Sequence, residues 1–185
     1  EAIAKICGRF DDAYWLKKDK EGGFPAELHR ALAQDGWLGI AMPEEHGGAG
    51  LGITDAAVLM QAVAESGAGM AGASAIHMNI FGLNPVVVFG TKAQQARWLP
   101  PMIRGEVKAG FAVTEPNAGL NTLRIETRAE RHGDRYVLNG RKIWTSTAQV
   151  AGKMLVLART APVGSGVRDI DALSLFYTDL DRRYV

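Results

Sequence analysis

The 185-residue sequence predicts an α+β fold. An N-terminal all-α helical domain is expected over residues 1–108, followed over 109–185 by an antiparallel β-barrel-like domain that is incomplete at the chain end. Two observations carry this. Apolar residues recur at helical spacing through the first hundred residues. After Gly105 the pattern changes to short β-prone runs separated by turn residues. Helices gathered in one block and strands in the next argue for segregated α and β parts rather than alternating units.

In the helical block, Leu28, Ala31 and Leu32 fall at i, i+3, i+4, and Ala56, Leu59, Met60 and Val63 form a second stripe at i, i+3, i+4, i+7. Ile76, Ile80, Leu83 and Val87 form another stripe, which Pro85 should kink or divide because it removes a backbone donor. Thr91 with Gln94 three residues on predicts a capping box and a helix start. Met42 to Gly52 carries four glycines, Gly47, Gly48, Gly50 and Gly52, and reads as a loop. It lacks the GK[ST] of a P-loop and the strand context of a dinucleotide fingerprint.

In the second block, Phe111 to Thr114 predicts a short strand, and Ile125 to Glu130 alternates as a strand with one wet face. Arg135 to Leu138, Asn139-Gly140 and Arg141 to Trp144 predict a hairpin, since both residues of a type I′ turn need positive φ. Met154 to Ala158 and Leu173 to Tyr177 are further strand candidates, joined by a loop from Ala161 to Asp169.

Composition narrows the function. Hydrophobic residues make up 47% and charged residues 22%, the balance of a chain with a real core. The net charge is +1 with cations and acids interspersed, which disfavours nucleic acid as a partner. No apolar run reaches the roughly 18 residues needed for a membrane span, and the longest, Ile76 to Phe89, is interrupted by polar residues. Cys7 stands alone, and His29, His46, His77 and His132 have no metal-ligand spacing, so neither a disulfide nor a metal site is expected. A reducing compartment fits: the cytoplasm, or the mitochondrial matrix in a eukaryote.

Two segments carry chemistry. Phe111-Ala112-Val113-Thr114-Glu115-Pro116-Asn117-Ala118-Gly119 runs from a strand into a turn forced by Pro116. Backbone groups past a strand end can face a ligand, and the Thr114 hydroxyl both donates and accepts. An ordinary strand-to-loop junction is the competing reading. In Lys142-Ile143-Trp144-Thr145-Ser146-Thr147-Ala148, Trp144 offers a flat face, and Ser146 would point to the same side of a strand. A structural tryptophan in a hairpin competes. Glu115 is a weak candidate for a base, because it precedes a proline in this segment. Glu44 and Glu45 read as loop charges.

The pair "FAVTEPNAG" and "YVLNGRKIWTSTA", with "GWLGIAMPEEHGGAGLG" and "GTKAQQARWLPPMIRGE" upstream, resembles the acyl-CoA dehydrogenase family from about Gly22 onward. The resemblance implies FAD as cofactor, bound through Phe111, Val113, Thr114, Gly119, Leu120, Trp144, Thr145 and Ser146. It implies α,β-desaturation of an acyl-CoA thioester, an electron-transfer flavoprotein as acceptor, and a homo-oligomer built through a C-terminal helical domain absent from this sequence. The catalytic base is expected beyond Val185, so no catalytic residue is assigned here. Two departures stand out. The family often continues TEPxAG with Ser-Asp where this chain has Leu120-Asn121, and Thr147 stands where Asn or Gly is common. Acyl-CoA oxidase or flavin monooxygenase chemistry on the same fold, or a non-catalytic assembly fragment, are the alternatives.

Overall fold

The computed structural model describes residues 1–183, in two compact units, Glu1–Lys108 and Ala109–Val185. The first is helical: α1 (Ala2–Cys7), α2 (Asp12–Glu21), α3 (Ala26–Gln34), α4 (Ile53–Val63), α5 (Gly69–His77), α6 (Asn84–Phe89) and α7 (Lys92–Ile103). The expected stripes are its core. Leu28 and Leu32 of α3 meet Leu59 and Val63 of α4 and Ile76 of α5, with Ile3, Ile6 and Cys7 of α1 in the same cluster. Each such side chain contributes roughly 1.5–3 kcal/mol on burial.

Local signals set the helix ends. Thr91 Oγ1 accepts from the Gln94 amide at 3.2 Å while Gln94 Oε1 accepts from the Thr91 amide at 2.8 Å, the reciprocal capping box that starts α7. Pro85 does divide its stripe. It lies in the first turn of α6, where no intrahelical partner for an N–H is needed, after a π-helical turn at Met78–Gly82. The glycine-rich loop folds back on its own approach: Ala49 donates to the Gly39 carbonyl at 2.9 Å and Leu51 to that of Ile40 at 3.0 Å.

The helical run Ile53–Phe89, 37 residues, is long and apolar enough to cross a bilayer by length and composition. The interrupted sequence did not show this. The run bends at Gly67, whose φ of 95° is not helical. Its buried positions Ala56, Leu59, Val63, Ile76 and Ile80 face the unit's own core, which accounts for its apolar character.

The second unit holds β1 (Ala109–Ala112), β2 (Arg128–His132), β3 (Arg135–Asn139), β4 (Lys153–Arg159) and β5 (Leu173–Asp179). The sheet is mixed, a correction to the antiparallel expectation. β2–β3 and β4–β5 are antiparallel, but β1 runs parallel to β4 from Ala109↔Lys153 to Ala112↔Val156, and Arg128 of β2 sits parallel opposite Arg159. The chain between β1 and β4 is long enough for the crossover that parallel pairing requires. Among the described residues no pairing closes the sheet into a barrel. β2 also starts later than expected, at Arg128, because the amides of Glu126 and Thr127 donate to the Glu115 carboxylate rather than to a neighbouring strand.

The hairpin lies elsewhere than Asn139-Gly140. β2 and β3 join through Gly133-Asp134, with His132 opposite Arg135 and Gly133 at φ 64°. Residues 141–144 form no strand. Gly140 is needed for space instead: a Cβ there would lie 2.2 Å from Thr127 Oγ1 and 2.6 Å from Thr127 Cα. Gly140→Ala is therefore expected to lower stability by about 1–3 kcal/mol or more through overpacking. Gly133→Ala, which meets nothing within 4 Å, should lose only the roughly 1–2 kcal/mol of a left-handed alanine. Denaturant unfolding of both variants gives the order; Gly133→Ala as the costlier change contradicts this packing role.

Candidate functional site

All the sequence-predicted site residues lie in the second unit. β1 delivers Phe111, half-buried, and the chain continues through Val113 and Thr114 into a tight turn. Glu115 and Ala118 close that turn by exchanging backbone bonds of 3.0 and 3.2 Å around Pro116-Asn117. The Thr114 hydroxyl makes no hydrogen bond among the described residues, whereas its backbone carbonyl accepts from the Ile143 amide at 2.9 Å. That bond brings the two chemistry-bearing segments side by side.

A buried ion pair reinforces it. Lys142 Nζ donates to Glu115 Oε1 at 2.8 Å and to the Val113 carbonyl at 2.9 Å. The Glu115 carboxylate also accepts the backbone amides of Glu126 at 2.6 Å and Thr127 at 3.0 Å. Only 4% of the Glu115 side chain and 11% of the Lys142 side chain are exposed, so neither charge is solvated. Burial pushes the Glu115 carboxyl upward, but the Glu126 amide, the Lys142 ammonium and Thr127 together hold it below the ordinary glutamate value. A carboxylate so occupied is a poor proton acceptor. Burial in turn pulls the Lys142 ammonium below its usual range, against the opposing pull of Glu115.

The second segment is a loop, not the expected strand, so the same-side argument for Trp144 and Ser146 does not hold. Trp144 has φ 56° and Thr147 φ 69°, the left-handed region that bulky and β-branched residues avoid. Such conformations cost of order 1–3 kcal/mol each and persist where the surroundings impose them. Here Ile143 is tied to Thr114 on one side. On the other, Val150 and Ala151 donate to the Thr147 carbonyl at 3.0 and 2.9 Å. Arg182 Nη2 donates to the Ala148 and Ala151 carbonyls at 2.6 and 3.0 Å. The result presents Trp144 at 87% exposure, with Thr145 half-buried and Ser146 exposed.

Val113, Thr114, Lys142 and Ile143 are thus in direct contact. Gly119 and Leu120 lie beyond the turn and are exposed, Leu120 fully. A cleft of about 690 Å³ opens between Glu115–Asn117, Ile125–Arg128 and Asn139–Arg141, and neither Thr114, Trp144 nor Ser146 lines it. The hydrogen-bond geometry, not that cleft, brings the two candidate segments together. Sequence reasoning missed Lys142 and Arg182 as structural anchors and weighed Glu115 only as a base. A Glu before the turn proline and a Lys two residues before the tryptophan were the available signals. No group of His, Cys, Asp and Glu suited to a metal occurs among the described residues.

Glu115→Ala should destabilise the protein by about 3–5 kcal/mol, since it leaves a buried ammonium and two amides without their acceptor. Because the folded-state pKa of Glu115 is depressed, its contribution is present above the unfolded glutamate value and fades as the pH falls below it through the folded value. Chemical denaturation of both proteins from neutral to acid pH should show the gap narrowing toward acid. A gap independent of pH contradicts the assignment.

The chain is similar to known proteins along its whole length. Residues 2–106 match the model of the acyl-CoA dehydrogenase N-terminal domain, and residues 110–183 match that of the middle domain. A 3-(aryl)acrylate reductase of Clostridium sporogenes is 38% identical over 77% of this chain and 37% of its own length. The acyl-CoA dehydrogenase FadE12 of Mycobacterium tuberculosis is 31% identical over 100% of this chain and 49% of its own. The crystal structure of an acyl-CoA dehydrogenase from Geobacillus kaustophilus superposes with a TM-score of 0.86 at 25% identity, covering 97% of this chain and 46% of that one. The chain spans half or less of the length of each of these proteins. With both domain models matched in order and the helical and sheet units falling under them, the chain belongs to the acyl-CoA dehydrogenase family.

Proposed function

We propose that this chain is the flavin- and acyl-CoA-binding portion of an FAD-dependent acyl-CoA dehydrogenase that desaturates acyl-CoA thioesters between the α and β carbons. The observation that carries the reading is the 2.9 Å bond from the Ile143 amide to the Thr114 carbonyl. It sets Thr114, whose hydroxyl has no hydrogen-bond partner among the described residues, against the residue that precedes a tryptophan held outward at some conformational cost. A planar heterocycle with polar edges fits these residues: Trp144 offers its face, and Thr114 and Ser146 offer hydroxyls. Phe111, Val113, Thr145, Gly119 and Leu120 complete the proposed contacts.

FAD, when bound, supplies acceptance of the β hydrogen as hydride. The protein's own part is placement. The Val113–Thr114 edge and the Trp144–Ser146 loop fix the ring, and the exposed apolar surfaces of Trp144 and Leu120 help keep water from it. Glu115 takes no part in removing the α proton, because Lys142 and two amides already engage it. That proton falls to a carboxylate in the part of the enzyme this chain does not span. Leu120, in place of a hydroxyl residue, gives up one polar contact to a phosphate or substrate. An electron-transfer flavoprotein as acceptor, a homo-oligomeric assembly and a cytoplasmic or mitochondrial-matrix location belong to the same proposal.

The similarity to the aryl acrylate reductase favours a second reading, in which electrons run from the flavin to a carbon–carbon double bond. Reduction of an aryl acrylate without desaturation of any acyl-CoA would select it. Rapid reoxidation of the reduced flavin by air would select an oxidase or monooxygenase.

FAD titrated into the protein should bind saturably, and Trp144→Ala should weaken binding about tenfold, the equivalent of 1.4 kcal/mol and within the reach of one lost stacking partner. Wild-type affinity in Trp144→Ala would place the flavin elsewhere. The 185-residue chain, mixed with FAD, short- and medium-chain acyl-CoA and an artificial acceptor, should turn over far below the ordinary range of about 1–10³ s⁻¹. Turnover within that range would mean that the base lies inside the chain.

A further inference from the structure

We propose that Lys142, braced by Glu115, is a positioning residue for the flavin: it fixes the separation between the Val113–Thr114 edge and the Trp144–Ser146 loop. The proposal rests on the flavin reading above and adds to it the device that sets the site's dimensions.

Three bonds join two short stretches of chain. Lys142 Nζ reaches the Val113 carbonyl at 2.9 Å and Glu115 Oε1 at 2.8 Å, and the next amide, Ile143, reaches the Thr114 carbonyl at 2.9 Å. Residues 113–115 are thereby locked to 142–143 with no slack on either side. The lock has a base of its own. Glu115 also accepts the amides of Glu126 and Thr127, which lead into β2, so the Lys142 head group is held from the sheet side. Trp144 follows immediately, in a conformation that a bulky residue keeps only under constraint. The upstream constraint on it is this lock, and the downstream one is the Thr147–Ala151 turn clamped by Arg182.

Stability alone does not account for a charged pair here. A buried pair replaced by apolar groups of similar volume is often no less stable. What an apolar pair cannot do is hold the Val113 carbonyl at hydrogen-bond distance from a group that also fixes Glu115. A site loosened by about 1 Å can lose on the order of a hundredfold in performance, so the placement these bonds enforce has a functional consequence.

The decisive variant is the double change Glu115→Gln with Lys142→Met, which leaves no stranded charge. Three readouts apply: FAD affinity by fluorescence titration, the visible spectrum of the bound flavin, and amide hydrogen exchange of segments 111–116 and 142–148 without FAD. The double variant is expected to fold but to unfold below the wild-type midpoint, since one backbone amide and the Val113 carbonyl lose their partners, and to bind FAD about tenfold more weakly, the equivalent of about 1.4 kcal/mol, with a changed spectrum and faster exchange in both segments. A folded double variant with wild-type affinity, spectrum and exchange overturns the proposal. If the double variant does not fold, Lys142→Arg decides. It keeps the charge, but its longer, planar head group forces the Val113 carbonyl and the Glu115 carboxylate to a different spacing, so affinity should fall and exchange rise; wild-type values there also overturn the proposal. If the wild-type protein binds no FAD, the functional reading fails, and exchange alone judges the lock: unchanged exchange refutes it and faster exchange in both segments upholds it.

Discussion

An ammonium and a carboxylate, 2.8 Å apart and almost wholly removed from water, determine where the loops of the sheet unit lie. Each charge would be costly to bury by itself, so the two must stay together, and the segments that carry them must stay together as well. Glu115 extends the constraint through two backbone amides, and Lys142 through a backbone carbonyl. Three stretches, 113–115, 126–127 (which leads into β2) and 142–143, become one piece. Everything proposed for the site, from the Thr114 edge to the outward tryptophan, inherits its position from that piece.

Where a residue's partner was close in sequence, the fold was legible. Thr91 and Gln94 cap α7 because both halves of the interaction lie within one turn. The core stripes of α3 and α4 followed from a period that needs no tertiary information. Non-local geometry was not legible. The parallel β1–β4 pairing depends on how a long connection returns, and no turn residue encodes it. Asn139-Gly140 misled for a physical reason: glycine is chosen either for positive φ or for its missing Cβ, and the sequence does not say which. Here Thr127 pressing on Gly140 is the cause, while the hairpin turn fell to Gly133-Asp134, a pair with the same kind of turn chemistry.

The candidate site was half legible. Both candidate segments were visible, because strand-to-turn context and a tryptophan beside hydroxyls can be read in one dimension. Their contact was not, since it is made by Lys142 and Glu115, two side chains with no distinctive local pattern. The strand geometry assumed for Trp144 and Ser146 was wrong because the loop's conformation is imposed from outside, by Thr114 upstream and Arg182 downstream. Thr147 belongs to the same lesson. Asn or Gly at that position would enter the left-handed region at lower cost, and threonine sits there at φ 69° only because the turn behind it is closed.

That strain clarifies the division of labour within the sheet unit. Two loop residues three positions apart, Trp144 and Thr147, hold unfavourable backbone conformations that work against folding, and Trp144 recovers little of that through packing, since it is 87% exposed. The compensating interactions lie on the flanks, in the bonds of Lys142 and Ile143 before Trp144 and in the Ala148 and Ala151 carbonyls clamped by Arg182 after Thr147. A loop whose stability comes from its flanks is free to hold its centre in a shape suited to something other than the protein's own core. On this reading the buried charges and the exposed aromatic are two ends of one arrangement: the polar bonds beneath fix a backbone that the surface tryptophan could not adopt unaided.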